Sequence, residues 1–278
     1  MKELPKNYRY TKIIATIGPA SESPDKLNSL IAAGADVMRL NMAHASGEWV
    51  HEVIARIRQV SAEVDRHVAV MMDVKGPEIR TGDVAEPVTL NPGDKLRFVC
   101  QGNVDQIDGV VSVSVNYPML ARDVPVGSIV LVDSGMLRLR AIEKSQSSVI
   151  CEVLTAAKLG SRRHINLPGV DVELPALTEK DLRDLRVGVQ AGIDFVALSF
   201  VRQAADVHEL KGVLLGLGSK AKIIAKIEDQ TGVKNMREII RAADGLMVAR
   251  GDLGIEIDYH RLPIVQREMV EVCLAEAK

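Results

Sequence analysis

The first regular pattern in the chain begins at Lys12, where "KIIATIG" is apolar without alternation, as expected of a strand buried on both faces. In the turn "PASESP" that follows, Ser23 before Pro24 joins an N-cap hydroxyl to a proline at the first helical position, and the helix it predicts closes near Gly34. "DVMRL" then reads as a second short strand, a helical period runs from Gly47 to Asp65, and "HVAVMMDV" reads as a third strand. Apolar strands alternating with amphipathic helices predict a parallel sheet with helices on its outside.

From about Asp83 to Glu173 the texture changes. "VVSVSV", "SIVLVDSGMLRLRAI" and "SVICEVL" are valine-rich and separated by Gly, Pro, Asn and Asp, which predicts antiparallel β structure with a hairpin turn at Asp133-Ser134-Gly135. The helical period returns at "LPALTEKDLRDL" with Thr178 as N-cap. Strands "DFVALSF", "KIIAKIE" and "DGLMVAR" follow, with helices expected over 203–217, 231–242 and 262–277. The expected fold is α/β: a partial TIM (β/α)8-type barrel of about six βα units over 1–82 and 174–278, with a small antiparallel β-barrel domain inserted over 83–173. A six-strand barrel has two unpaired edges. Three readings follow, in order: a piece of a longer chain, a barrel completed by a partner or by oligomerisation, or an open sheet with edges covered locally.

Composition narrows the partners. Lysine and arginine total 35 against 37 acidic residues, net charge -2, which argues against a nucleic-acid coat or a membrane-surface binder. "MKELPKNYRY" has no apolar signal core, and no run approaches the roughly 18 apolar residues of a membrane span. Cys100, Cys151 and Cys273 are far apart and odd in number, as expected of thiols in a reducing compartment, so the expected location is the cytoplasm.

In a parallel barrel the reactive groups sit at the C-terminal strand ends. Those positions here are Thr16; Arg39, Asn41 and His44; Asp73, Lys75, Glu78 and Arg80; Ser199 and Arg202; Lys226 and Glu228; and Arg250, Gly251 and Asp252. Each alone is accounted for by a solvated loop charge or a rim ion pair; together they point to a site. Lys226 and Glu228, two apart on a strand, face the same side. Glycines around Asp252 allow close backbone approach to a ligand. Glu228 and Asp252 offer two hard oxygen donors for Mg²⁺ or Mn²⁺, against the plainer reading that they pair with Lys226 and Arg250. Arg39, Arg80 and Lys226 predict an anionic, phosphorylated or carboxylated substrate. His44 reads as hydrogen-bonded support rather than as a general base.

The segments "TKIIATIGPAS", "AGADVMRLNMAH", "DVKGPEIRTG", "INLPG", "LTEKDLRDL", "IAKIED", "GVKNMREII" and "DGLMVARGDLGIEI" together resemble pyruvate kinase, in family order across nearly the whole chain. The resemblance implies phosphate transfer from phosphoenolpyruvate to ADP, giving pyruvate and ATP, with Mg²⁺ or Mn²⁺ and commonly K⁺, in a homo-oligomer. It implies that Arg39 binds the transferring phosphate and that Lys226 stabilises charge on phosphoryl and enolate oxygens. Glu228 and Asp252 would hold the divalent cation, with Gly251 and Asp252 at the substrate. Asn41, His44, Arg80 and Arg163 would contact the nucleotide, and the inserted domain would act as a lid. The implied K⁺ site keeps Asn41 and Asp73 but has Ala43 and Val74 where the family usually has Ser and Thr, and Glu78 is not replaced by lysine. The family's threonine near the enolate follows a seventh strand, which lies beyond Lys278. Two other readings stay open: a Mg²⁺-dependent lyase or aldolase acting on pyruvate or oxaloacetate, and a non-catalytic phosphoenolpyruvate- or nucleotide-binding fragment or subunit.

Overall fold

The computed structural model describes residues 9–43, 45–105 and 109–278. The chain begins with β1 (Ile14–Ile17), α1 (Pro24–Ala33), β2 (Val37–Asn41), α2 (Gly47–Glu63) and β3 (Ala69–Asp73). Ser23 accepts the Lys26 amide at 3.4 Å with Pro24 at the helix start, and Gly34 ends α1 in the left-handed region, φ +110°. There follow β4 (Val88–Leu90), β5 (Lys95–Val99), β6 (Val110–Ser114), α3 (Leu120–Asp123), β7 (Ile129–Val132), β8 (Leu137–Lys144), β9 (Ser148–Val153), β10 (Ala157–Leu159) and β11 (Ile165–Asn166). The remainder is α4 (Glu179–Ala191), β12 (Phe195–Leu198), α5 (Ala204–Gly216), β13 (Lys222–Ile227), α6 (Gln230–Lys234), α7 (Met236–Ala242), β14 (Gly245–Val248), α8 (Arg250–Glu256) and α9 (Leu262–Ala275).

Six strands form one parallel sheet in the order β1-β2-β3-β12-β13-β14, so β3 pairs directly with β12 across the insertion. Its core is aliphatic, from Leu27 and Ile31 on α1 through Met72 and Val196 in the sheet to Met269 on α9. A second core, built around Phe98, Leu139 and Cys151, belongs to the sheet β11-β7-β8-β9-β5-β6 and the pair β10-β4. That sheet is antiparallel except where β5 and β6 run parallel. The alternation shared by "KLRFV" and "VVSVS" carries no direction, so the sequence pattern could not distinguish the two pairings. In the β7–β8 turn Ser134 and Gly135 both have positive φ and the Met136 amide donates to the Asp133 carbonyl, the left-handed geometry hairpins favour.

Two local expectations are corrected. The helix expected over 231–242 is broken at Asn235, whose side-chain amide donates to the Arg202 carbonyl at 2.8 Å. The segment "RGDLGIE", which begins inside the expected strand "DGLMVAR", is instead the helix α8, with Leu253 fully buried in the barrel core.

Candidate active site

Four adjacent strands bring their C-terminal ends to one node. Arg39, on β2, donates from Nε to Asp73 Oδ2 at 2.7 Å and from a terminal nitrogen to Thr16 Oγ1 at 2.8 Å. Lys226, on β13, lies 3.1 Å from Asp73 Oδ1 and 3.1 Å from Glu228 Oε1, and donates to Ser199 Oγ at 2.8 Å. Three partners thus match the three donors of the ammonium. Ser199, just past β12, donates its own hydroxyl hydrogen bond to the Val74 carbonyl at 2.7 Å. Asp73 and Glu228 are each 2% exposed and Lys226 8%, so the charges interact in a poorly hydrated setting.

Burial works against the Lys226 ammonium, but Glu228 and Asp73 outweigh it and lift its pKa, keeping the lysine charged. Burial dominates at Glu228 and pushes it up to about 7, with Lys226 and the Phe200 N–H pulling the other way. Phe200 donates that N–H to Glu228 Oε2 at 2.6 Å from φ +55°, a conformation that costs a side chain of this kind roughly 1–3 kcal/mol. No sequence signal marks an aromatic residue for that conformation, so its role as a backbone donor was invisible before the fold.

The other expected site residues divide. Glu78 is gripped by Arg80 at 2.7 and 3.1 Å and by Lys75 at 3.0 Å; burial alone would raise its pKa, but these two cations hold it below the usual value. Arg80 bridges in antiparallel fashion to His164, and the next residue, Thr81, donates its amide to the Arg163 carbonyl, which brings Arg80 and Arg163 to the root of the inserted sheet. The Arg163 guanidinium turns toward Asp133 at 3.3 Å. Arg202 leaves the site: it donates to the carbonyls of Val172 and Leu174, tying the returning chain to the barrel. Asn41 Oδ1 accepts the Ala43 amide at 3.0 Å, closing its own turn. Val74 lacks a side-chain oxygen, yet its carbonyl remains and is taken by Ser199. His44 lies outside the described residues.

Asp252 is in the first turn of α8 and makes no hydrogen bond or ion pair to another described residue, and Arg250 is likewise unpaired, so the expected rim pair does not form. The Cβ side of Gly251 is open. Asp73 and Glu228 are matched by Arg39 and Lys226, and Glu78 by Lys75 and Arg80, which leaves Asp252 as uncompensated negative charge near Glu228. Among the described residues no three acidic, histidine or cysteine side chains converge as a complete metal cage. Two carboxylates with water and substrate oxygens suit Mg²⁺, which rarely takes an all-protein cage, so Glu228 and Asp252 fit such an ion as a partial donor set.

Glu256, at the end of α8, is a second buried carboxyl; burial pushes it up to about 7, while the Asn166 amide pulls it down. A carboxyl raised on folding from 4.5 holds a proton that the unfolded chain has released; its stabilisation is full below about pH 4.5 and lost as pH climbs through about 7. His164, lowered mainly by burial, has the opposite trend at the acid end, so a variant comparison isolates the glutamate. The melting temperature of metal-free parent chain is expected to fall more steeply than that of Glu256→Gln between about pH 5 and pH 8; parallel curves would refute the raised pKa.

Comparison with known proteins bears on the chain as a whole. Residues 8–278 match the family model described as pyruvate kinase, barrel domain. The chain is 44% identical over 270 residues to pyruvate kinase of Geobacillus stearothermophilus, covering 95% of this chain and 45% of the relative. It is 40% identical over 271 residues to plastidial pyruvate kinase 2 of Arabidopsis thaliana, covering 97% and 46%, and 40% identical over 269 residues to pyruvate kinase of Staphylococcus aureus (strain MRSA252), covering 95% and 45%. The chain thus spans less than half the length of these curated relatives. Among the described residues no helix is long and apolar enough to cross a membrane.

Proposed function

The chain belongs to the pyruvate kinase family, and from that premise we propose that it carries the phosphoryl-transfer half-site of a phosphoenolpyruvate:ADP phosphotransferase, forming pyruvate and ATP. The observation that carries the reading is the Arg39–Asp73–Lys226–Glu228 node: two permanent cations fixed by buried carboxylates at a barrel mouth. Phosphoryl transfer needs positioning and neutralisation of charge spread over oxygens, and it needs little covalent chemistry from the protein. Arg39 orients the phosphoryl group, its guanidinium held in place by Thr16 and Asp73. Lys226 donates to the phosphoryl or enolate oxygen, giving up a carboxylate contact as it does so. Glu228 and Asp252 hold Mg²⁺ or Mn²⁺, which when bound supplies further positive charge, and Gly251 lies beside the substrate. Arg80 and Arg163 reach the nucleotide phosphates from the lid root, with Asn41 and His44 at the same phosphates.

The inserted unit, assigned to 83–173 between barrel segments 1–82 and 174–278, covers the site and excludes water, which limits hydrolysis. The working form is a cytoplasmic homo-oligomer or part of a longer chain. A coupled assay for pyruvate formation, with phosphoenolpyruvate, ADP and Mg²⁺, tests the reading; no turnover by folded protein that binds Mn²⁺ would overturn it. That outcome favours the second reading, a binding module without turnover, whose support is the coverage of less than half of the relatives' length.

K⁺ activation is expected to be below about twofold in the same assay. Ala43 and Val74 contribute no side-chain oxygen, Asn41 Oδ1 is taken by its own turn, and the Asp73 oxygens already face Arg39 and Lys226. An increase above about tenfold on replacing Na⁺ by K⁺ would show that other oxygens complete a monovalent-cation seat.

A further inference from the structure

The strand that returns from the lid meets the helix carrying Asp252 through a buried side-chain hydrogen bond. Asn166, at the end of β11, donates from Nδ2 to Glu256 Oε1 at 2.9 Å, with the residues 4% and 7% exposed. Asn166 also pairs with Leu131 of β7, so its backbone is part of the lid sheet. Glu256 is the last residue of α8, and its carbonyl accepts Gln230 Nε2 at 2.6 Å, which fastens that end of the helix to α6. The opposite end has no side-chain cap, and Asp252, in the first turn, has no hydrogen-bond or ion-pair partner among the described residues. Leu253 anchors the middle of the helix in the barrel core, and the side-chain hydrogen bonds that hold its ends all lie at the end that Asn166 touches.

Asn166 Oδ1 is the one buried side-chain nitrogen or oxygen among the described residues without a hydrogen-bond partner. Asn166 lines a cavity of about 60 Å³ with His164, Gln230 and Glu256, room enough for water. A residue selected only to fill space would be apolar here, since a half-satisfied buried amide is costly. Its one made bond is directed at Glu256.

We propose that Asn166 and Glu256 are positioning residues that set the Asp252 carboxylate relative to Glu228, so that the pose of the lid is transmitted to the divalent-cation pair. This rests on the reading of Glu228 and Asp252 as cation ligands. The link consists of two side chains and the five helical residues from Asp252 to Glu256, and it runs from a lid strand to a ligand without passing through the barrel sheet.

The test is a Mn²⁺ titration of the 278-residue chain followed by electron paramagnetic resonance, together with amide hydrogen exchange over 250–256. Asn166→Leu, similar in shape but without a donor, is expected to weaken Mn²⁺ binding about tenfold or more and to speed exchange in α8 while leaving β2 protected. Should it fail to fold, Glu256→Leu reports the same loss from the other side. The paired change Asn166→Asp with Glu256→Gln reverses donor and acceptor and is expected to restore affinity to within about threefold, which mere loss of packing would not predict. Mn²⁺ binding that is absent from the parent, or indifferent to Glu228→Gln, sinks the cation-site reading and this inference with it. Parent binding that depends on Glu228 but ignores Asn166→Leu, or unchanged exchange in α8, overturns this inference alone.

Discussion

Lys226→Met is expected to lower pyruvate formation by about 10³-fold or more while Mn²⁺ binding persists. Methionine keeps the length and most of the packing but removes the ammonium in contact with both Asp73 and Glu228. The variant should still fold, because Asp73 retains Arg39 and Glu228, already raised to about 7, takes up a proton when its cation is gone. A bound divalent cation displaces that proton, and removing a nearby positive charge favours its binding. Single-turnover transfer and a Mn²⁺ titration on the same preparation separate the two effects. A rate within about tenfold of the parent would end the charge-stabilising role assigned to Lys226.

Asp73→Ala has the larger cost to folding: a loss of about 3–5 kcal/mol in urea unfolding is expected, out of a total on the order of 5–15 kcal/mol. The asymmetry with Lys226 is chemical. Deleting the lysine leaves carboxylates, one of which can protonate; deleting Asp73 leaves Arg39, which cannot shed its charge, only 24% exposed beside a fresh cavity. Lys226 keeps Glu228 but loses the oxygen at 3.1 Å on its other side. Adding Arg39→Met to Asp73→Ala should recover part of the loss, giving a coupling energy of roughly 1 kcal/mol or more in the double-mutant cycle. A loss below about 1 kcal/mol for Asp73→Ala alone would mean that water, not the carboxylate, satisfies Arg39.

Much of this was legible in residue patterns because the patterns have local causes. Ser23-Pro24 and Thr178 capped their helices by chemistry contained within four residues, and Thr178 with Asp181 completes a reciprocal capping pair. The six parallel strands were visible as apolar runs, and their exits named nearly every charged group of the node. What the sequence withheld was partnership. Arg202 lies past the end of a strand and Lys226 near the end of one, and both carry charge, yet one binds loop carbonyls and the other binds buried carboxylates; the difference is set by which strands are neighbours. The helix α8 was hidden because two glycines in seven residues argue against a helix, and only burial of Leu253 against the barrel outweighs them. Asn166–Glu256 spans 90 residues and matches no spacing rule.

The node also bears on how the chain reaches its fold. Its three contacts to Asp73 close loops of 34, 126 and 153 residues, from Arg39, Ser199 and Lys226. Contacts that distant in sequence form late, after neighbouring strands have found their register, and a one-residue slip in any of the four would turn its side chain to the opposite face. The charges therefore act as a final check on register: they contribute little to the speed of folding and much to the height of the barrier against unfolding, so substitutions in the node should appear chiefly as faster unfolding.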